Sequence, residues 1–177
     1  MDELRCFTTG AASGDDLHQI RELIDHAFAG GFTAEDWAHT LGGWHVVMAR
    51  DRAIVAHAAA IPRILQVDDR HFLAGYVEGV ATSSPARRRG LGSEVMRRLS
   101  EFLHDHFEIG ALATGSHAFF ERLGWERWSG PSFVHRGGRL IRTEEDDDGL
   151  MVLRFGPSEK VALDASISCD DRPGDAW

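Results

Sequence analysis

Three consecutive arginines, Arg87, Arg88 and Arg89, precede Gly90 and Gly92 in the stretch YVEGVATSSPARRRGLGSEVM, residues 76–96. They stand between a short apolar run and the start of an amphipathic helical pattern. The first turn of a helix leaves backbone N–H groups unpaired and carries partial positive charge. Glycine lets that backbone approach a ligand closely, and guanidinium groups add charge. The chemistry this supports is the grip of a phosphate or pyrophosphate. A P-loop would need Gly-x-x-x-x-Gly-Lys-Ser/Thr, and no lysine stands there. A dinucleotide fingerprint would need a third glycine where Val95 stands. A solvated basic loop is the bland alternative, and the preceding strand and the Arg-x-x-Gly-x-Gly spacing weigh against it.

Other residue types exclude as much as they suggest. Cys6 and Cys169 lie at opposite ends of the chain and form no Cys-x-x-Cys pair, so two reduced thiols are expected. Ten histidines are scattered without the spacing of a ligand set, and no metal site is expected. The formal net charge of −9, with a single lysine, Lys160, argues against a nucleic-acid partner. It suits a cationic partner, or plain solubility. The N-terminal Met-Asp-Glu is unlike a signal peptide and no apolar run is long enough to span a bilayer, so a cytoplasmic location and no membrane partner are expected.

The elements that must position the basic loop can be read from periodicity. The 177 residues suit one domain, 1–177, without a repeat or linker. Leu4–Thr8 reads as a strand. From Ser13, Leu17, Ile20, Leu23, Ile24, Ala27 and Phe28 recur at helical spacing. Thr33 and Asp36 match a capping box that opens a short helix through Leu41. Segments 44–50, 54–66 and 72–82 read as a β-meander, in which Pro62 restricts the second strand to an edge or a bulge. A helix over about 90–107 carries Leu91, Val95, Leu99, Phe102 and Leu103 on one stripe. A strand at 109–113, a helix at 118–123, a strand from Trp125 and a last strand at 150–155 complete an α/β order, with the acidic run 144–148 in a loop.

With the strand EGVAT before it, the segment from Arg87 to Gly92 resembles motif A of the GNAT superfamily of acetyl-CoA-dependent N-acetyltransferases. FFERLGWERW, residues 119–128, resembles that family's later helix-Gly-aromatic motif. The resemblance implies the GNAT acyltransferase fold, a mixed central sheet with flanking helices. A narrower resemblance covers nearly the whole chain. AFAGGFTAEDWAHTLGG, IVAHAAAIPR, GYVEGVA, GAL, LGW, DDDG and CDDRPGDAW, in this order from residue 27 to 177, are similar to the aminoglycoside 2′-N-acetyltransferases.

That resemblance implies roles. Acetyl-CoA is the co-substrate, bound by Val80, Ala81, Thr82, Arg87, Arg88, Arg89, Gly90, Leu91 and Gly92, with Phe120 near the sulfur. Glu78 is the water-mediated general base, and it contacts the substrate. A carboxylate within reach of an amine can relay its proton; the bland alternative is a rim carboxylate on an edge strand. Gly79 suits a β-bulge or a close ligand approach, and the Val80 amide is the oxyanion contact. The polycationic acceptor is met by Asp36, Gly79, Asp146, Asp147, Asp175 and the terminal carboxylate of Trp177. Each acid has a bland alternative: a helix cap for Asp36, a solvated charge run for 144–148, a frayed end for Asp175 and Trp177. A homodimer is common among these relatives, and nothing in the sequence marks an interface.

The departures from the family are informative. Gly31 stands where an acid is usual, and Phe120 where a tyrosine would serve as general acid. The chain's one tyrosine, Tyr76, lies on another element. ALATGSHAFF is two residues shorter than its counterparts, with Ala113 or Thr114 replacing a serine that contacts substrate. These changes predict a coenzyme half preserved and an acceptor half retuned toward a smaller, less charged aminoglycoside such as kasugamycin, with drug resistance as the consequence. The competing expectations are a GNAT enzyme that acetylates another small-molecule or peptide amine, and a non-catalytic acyl-CoA sensor.

Overall fold

Two alternating patterns, one of helical and one of strand period, divide the chain as the sequence suggests, and the computed structural model describes residues 2–177. Its contacts form two compact units, residues 2–61 with 77–102, and 62–76 with 103–177. Neither is a contiguous segment, because two strands and one helix run from one unit into the other. No helix among the described residues is long and apolar enough to cross a membrane.

In the first unit, β1 (Asp2–Thr8) pairs antiparallel with β2 (Trp44–Arg50), and β2 with the first part of β3 (Ala53–Val67). Asp51 and Arg52 both take positive φ, +51° and +71°, the handedness that a tight two-residue hairpin needs. Helix α1 (Gly14–Ala27) begins at a Ser13–Asp16 capping box, in which each residue's side chain meets the other's backbone N–H. Its buried face, Ile20, Leu23 and Ile24, packs on Val47, Ile54 and Ala81. Full burial of each such side chain is worth about 1.5–3 kcal/mol. Helix α2 (Ala34–His39) begins at the expected Thr33–Asp36 capping box. The unit also holds the second part of β4 (Arg70–Thr82) and most of α3 (Leu91–His106), whose Val95, Met96 and Leu99 are fully enclosed.

In the second unit the strands are β5 (Ile109–Ala113), β6 (Glu126–Arg127), β7 (Ser132–Arg136), β8 (Arg139–Arg142), β9 (Leu150–Arg154) and β10 (Ile167–Asp170). With the inner parts of β3 and β4 they run in the order β6-β9-β5-β4-β3-β10-β7-β8. The sheet is mixed: β4 with β5 and β10 with β7 are parallel, the other registered pairs antiparallel. Gly75 faces Gly110 across β4 and β5. A methyl on Gly75 would come within 2.2 Å of Leu103 Cδ2, so only a residue without Cβ fits there.

Three strands depart from the sequence reading. β7, β8 and β10 were not expected, and β9 is therefore not the last strand; the strand after Trp125 is only two residues long. The acidic run is a 3₁₀ turn, Glu144–Gly149, rather than an open loop. Pro62 stands on an interior strand, not an edge. It falls between Ala60, the last residue registered with β2, and Leu65, the first with β10, so its missing N–H costs neither ladder a bond.

Candidate active site

The pairing of β4 with β5 ends at Tyr76, and among the described residues β4 has no strand on that edge from Val77 onward. Glu78 lies two residues past the last pair and is half-buried. Gly79 follows with φ +60° inside the strand, where other residues are strained. A Cβ there would also stand 2.9 Å from Ile24 Cδ1 and 3.1 Å from Thr40 Cγ2. The bulge expected from sequence is thus a tight left-handed kink pressed against α1 and α2. Ala81 packs into the same apolar cluster, so any coenzyme contact from it is through backbone.

A chain of polar side chains lies behind the kink. The Gly79 carbonyl accepts a 2.7 Å bond from His57 Nδ1. His57 Nε2 lies 3.0 Å from His45 Nδ1, and His45 Nε2 lies 2.8 Å from Thr9 Oγ1. Both rings are fully buried. Burial pushes His57 down to about 3, helped by the neighbouring ring of His45 and opposed by its bond to Gly79. Burial alone pushes His45 down to about 4. Both are neutral near pH 7, and the direction of every bond follows. A carbonyl only accepts, so His57 carries its proton on Nδ1; its Nε2 must accept from His45 Nδ1–H; His45 Nε2 then accepts from the Thr9 hydroxyl.

Downstream, Arg87 Nε donates to the Thr82 carbonyl at 3.3 Å, closing the loop back on the strand end. Arg88 (φ +61°) and Gly90 (φ +82°) both turn left-handed. Glu94 N–H then reaches the Gly90 carbonyl at 2.9 Å, the first helical bond of α3. The N–H groups at the start of α3 have no carbonyl one turn earlier in the helix. Arg87, Arg88, Arg89 and Gly90 are exposed around that helix start, with Leu91 and Gly92 in its first turn. A cavity of about 350 Å³, lined by Glu22, His26, Ile54, Thr82, Ser83 and Pro85 among others, flanks the loop's beginning rather than Glu78. Asp36 is engaged as the cap of α2, its Oδ2 accepting from Thr33 N–H at 2.8 Å.

In the second unit the acidic turn separates two neighbouring carboxylates. Asp147 accepts from Ser132 N–H at 2.9 Å, Ser132 Oγ at 2.7 Å and Arg142 Nη1 at 2.7 Å, and forms a second close bond to Arg142 Nη2. The Arg142 guanidinium, with Ser132, holds its carboxyl down to about 2. Asp147 is therefore committed to fastening the turn to β7. Asp146 is the opposite case. Burial first, then the charges of Glu145, Asp175 and Asp147, raise it above the usual carboxylate range. Asp175 is exposed, while Trp177 is buried and donates from Nε1 to Thr143 Oγ1 at 3.1 Å. Arg63 donates to the Ala176 carbonyl at 2.7 Å and pairs with Asp170, so the C-terminal segment is held rather than frayed. Phe120 is buried edge-on to Phe119 and Trp125 and offers no hydroxyl.

Sequence reasoning weighed the histidines only as metal ligands and so missed His45 and His57. Their signal was a polar ring inside otherwise apolar strand runs, WHVVMAR and IVAHAAA, where burial demands partners. Arg63 and Arg142, which neutralise acids beside the C-terminal segment, had no local signal.

Comparison with known proteins places these features in context. A model of the acetyltransferase (GNAT) domain matches residues 10–128. The chain is 38% identical over 161 residues to an aminoglycoside 2′-N-acetyltransferase from Mycolicibacterium fortuitum, covering 89% of this chain and 83% of that one. It superposes on the GNAT family N-acetyltransferase YhbS from Escherichia coli, solved with CoA, with a TM-score of 0.69 at 15% identity, covering 95% of this chain and 89% of that one. It also resembles a GCN5-related N-acetyltransferase from Kribbella flavida, with a TM-score of 0.59 at 24% identity, covering 73% of this chain. It spans only 34% of that protein's length.

Proposed function

Because the chain belongs to the GNAT acetyltransferase family, we propose that it transfers acetyl from acetyl-CoA to the 2′-amino group of an aminoglycoside. The observation that carries this reading is the sequence of features along one strand and loop. A carboxylate, Glu78, stands where β4 has run past its pairing with β5, immediately before a left-handed glycine, and leads into an arginine-glycine helix start. The loop of Arg87–Gly92 binds the pyrophosphate, and the β4 edge from Val80 to Thr82 binds the pantetheine arm.

Glu78, through water, takes a proton from the substrate ammonium, and the freed nitrogen lone pair attacks the thioester carbon. The C–N bond forms as the carbonyl π pair moves to oxygen, where the Val80 N–H receives the charge. The nitrogen, positively charged after attack, sheds its second proton to water, and collapse restores the carbonyl and breaks the C–S bond. Phe120 offers no proton, so the departing sulfur leaves as thiolate and is protonated by water; a thiol pKa near about 8.5 makes this tolerable. The acceptor's cationic groups meet Asp146 and Asp175, since Asp147 is neutralised by Arg142. Fewer available acids, with Gly31 where an acid is usual, favour a small acceptor with few amines, such as kasugamycin, and drug resistance follows from its acetylation.

The test is thiol release from acetyl-CoA over a panel from gentamicin-like drugs to kasugamycin, with products located by mass spectrometry and NMR. Acetylation at the 2′-amine is expected, and Glu78→Gln should lower kcat by about 10²–10⁴-fold with coenzyme affinity little changed. Turnover only on non-aminoglycoside amines would replace the acceptor assignment. Unchanged turnover in Glu78→Gln would remove Glu78 as base, and equal rates on gentamicin-like drugs and kasugamycin would remove the narrow spectrum.

A further inference from the structure

The Gly79–Val80 peptide is one plane with two functional ends. Its carbonyl accepts from His57, and its N–H is the group read above as meeting the thioester oxygen. In a trans peptide the C=O and N–H point in opposite directions, and the plane is stiff. Fixing one end therefore aims the other. A carbonyl drawn to His57, on β3, thus directs the Val80 N–H away from that ring.

A regular strand could not be fixed this way. Its carbonyls lie in the sheet plane and are met by the N–H groups of the next strand, out of reach of a side chain standing on the sheet face. The left-handed turn at Gly79 (φ +60°) rotates its peptide out of that ladder and creates a buried acceptor that needs another donor. His57 supplies it. His45 and Thr9 complete the arrangement: with His57 Nε2 occupied as acceptor, its proton stays on Nδ1, and the Thr9 hydroxyl, itself accepting from Gly42 N–H at 2.9 Å, fixes His45 in the same sense. Phe7 stacks on His45 at 5.7 Å between ring centroids and closes the site. The chain ends on a carbonyl that has no proton to pass on, so it is not a proton wire. Both nitrogens of each ring are occupied, so it is not a metal site.

We propose that His57, held in one tautomer by His45 and Thr9, is a positioning residue for acetyl transfer, which aims and polarises the Val80 N–H through the Gly79 carbonyl. This rests on the acetyl-transfer reading above. A hydrogen bond accepted by the carbonyl draws electron density from the amide nitrogen and makes its N–H a better donor. The benefit grows as charge develops on the thioester oxygen, so it is felt in turnover more than in coenzyme binding.

The experiment uses the full chain, acetyl-CoA and the aminoglycoside that wild type acetylates fastest. His57→Leu should lower kcat about 10–100-fold, below the loss expected from deleting an oxyanion donor outright, with KM for acetyl-CoA within about threefold. His57→Gln, which keeps an N–H donor at that place, should recover most of the loss. A purely structural histidine would show parallel losses in melting temperature and coenzyme affinity and no such recovery. In wild type, addition of acetyl-CoA should shift the Val80 amide proton resonance downfield, and His57 ring nitrogens should show the Nδ1–H form; in His57→Leu the amide shift should be lost. If His57→Leu does not fold, His45→Leu serves in its place, with a smaller loss of kcat and mixed His57 tautomers expected. A Val80 amide indifferent to acetyl-CoA, or a kcat within about threefold in the folded variant, overturns the proposal. Absence of transfer to every aminoglycoside overturns the acceptor reading instead, and the Val80 resonance still decides this one.

Discussion

The strand end around Glu78 and the C-terminal segment around Asp146 satisfy polar groups by opposite means. Behind Gly79, two neutral histidines and a threonine satisfy one another in series, with no ion pair. Around the C-terminal segment, charges are met as ion pairs nearer the surface: the buried Arg63, its side chain 4% exposed, with the exposed Asp170, and the exposed Arg142 with the half-buried Asp147. The difference teaches what each region can offer a ligand. A neutral, directional chain fixes the orientation of one peptide and adds no charge. Ion pairs take up Asp147 and Asp170 and leave an acidic excess that includes Asp146 and Asp175, where a cation is favoured. An aiming device suits a group that must stabilise developing charge, and a surplus of acid suits recognition of an amine.

The two strategies respond differently to acid, and this is the largest effect expected. His45 and His57 are lowered from 6.5 to about 4 and about 3, so between those values and 6.5 the unfolded chain binds protons that the folded chain refuses. Their contribution is complete above pH 6.5 and is lost as pH falls through 6.5 toward 4 and 3, with each unit of separation worth about 1.4 kcal/mol. Asp147, lowered from 3.8 to about 2, stabilises above 3.8 and loses that contribution only as pH falls from 3.8 toward 2. Native-state hydrogen exchange at pH 4.5 should therefore show β2 and the first part of β3 losing protection before β7 and β9. The reverse order would break the comparison.

The next effect concerns glycines with the same handedness and different surroundings. Gly79→Ala combines a positive φ with a contact to Ile24 and should cost about 2–4 kcal/mol together with most of kcat. Gly90→Ala has the positive φ but nothing within 4 Å of a new Cβ, so about 1–2 kcal/mol is expected. Its main effect should be weaker coenzyme A binding at the helix start, read by calorimetry. Equal stability losses would mean that the packing around the kink is looser than these distances imply.

Much of this was legible in the sequence, and what was not has physical causes. The capping box at Thr33, the helical pattern from Ser13 and the meander over β2–β4 announce themselves through local hydrogen bonding and short-range periodicity. β10 does not: Ile167–Asp170 is four residues long and acquires its place from β3 and β7, far away in the chain. β7 and β8 did carry a signal. Gly137 and Gly138, both at positive φ, form the two-residue turn of a hairpin that Arg136 and Arg139 close. At the site, the arginine-glycine loop could be read as an anion cradle from residue type and spacing, whereas the roles expected of Glu78 and Val80 came from the family resemblance. The division of labour between Asp146 and Asp147 could not be read, because it depends on Arg142 and Ser132, brought to Asp147 by folding.

That division supplies the smallest effect and the sharpest discrimination within the C-terminal region. Asp147→Asn removes the acceptor of an arginine and of two groups on Ser132, and should cost about 1–3 kcal/mol of stability, seen as a lower melting temperature. Asp146→Asn removes a carboxylate that burial, and then its acidic neighbours, already disfavour as an anion, so stability should hold or rise slightly. What it should lose is attraction for a cation: KM for the aminoglycoside should rise about tenfold at low salt, and less at high salt because exposed charges are screened. If instead Asp147→Asn raised KM while leaving the melting temperature unchanged, the acid bound to Arg142 would be the one that meets the substrate. The ion pair would then be a gate that opens on binding, since a carboxylate held by two guanidinium N–H groups must release them before it can take an amine.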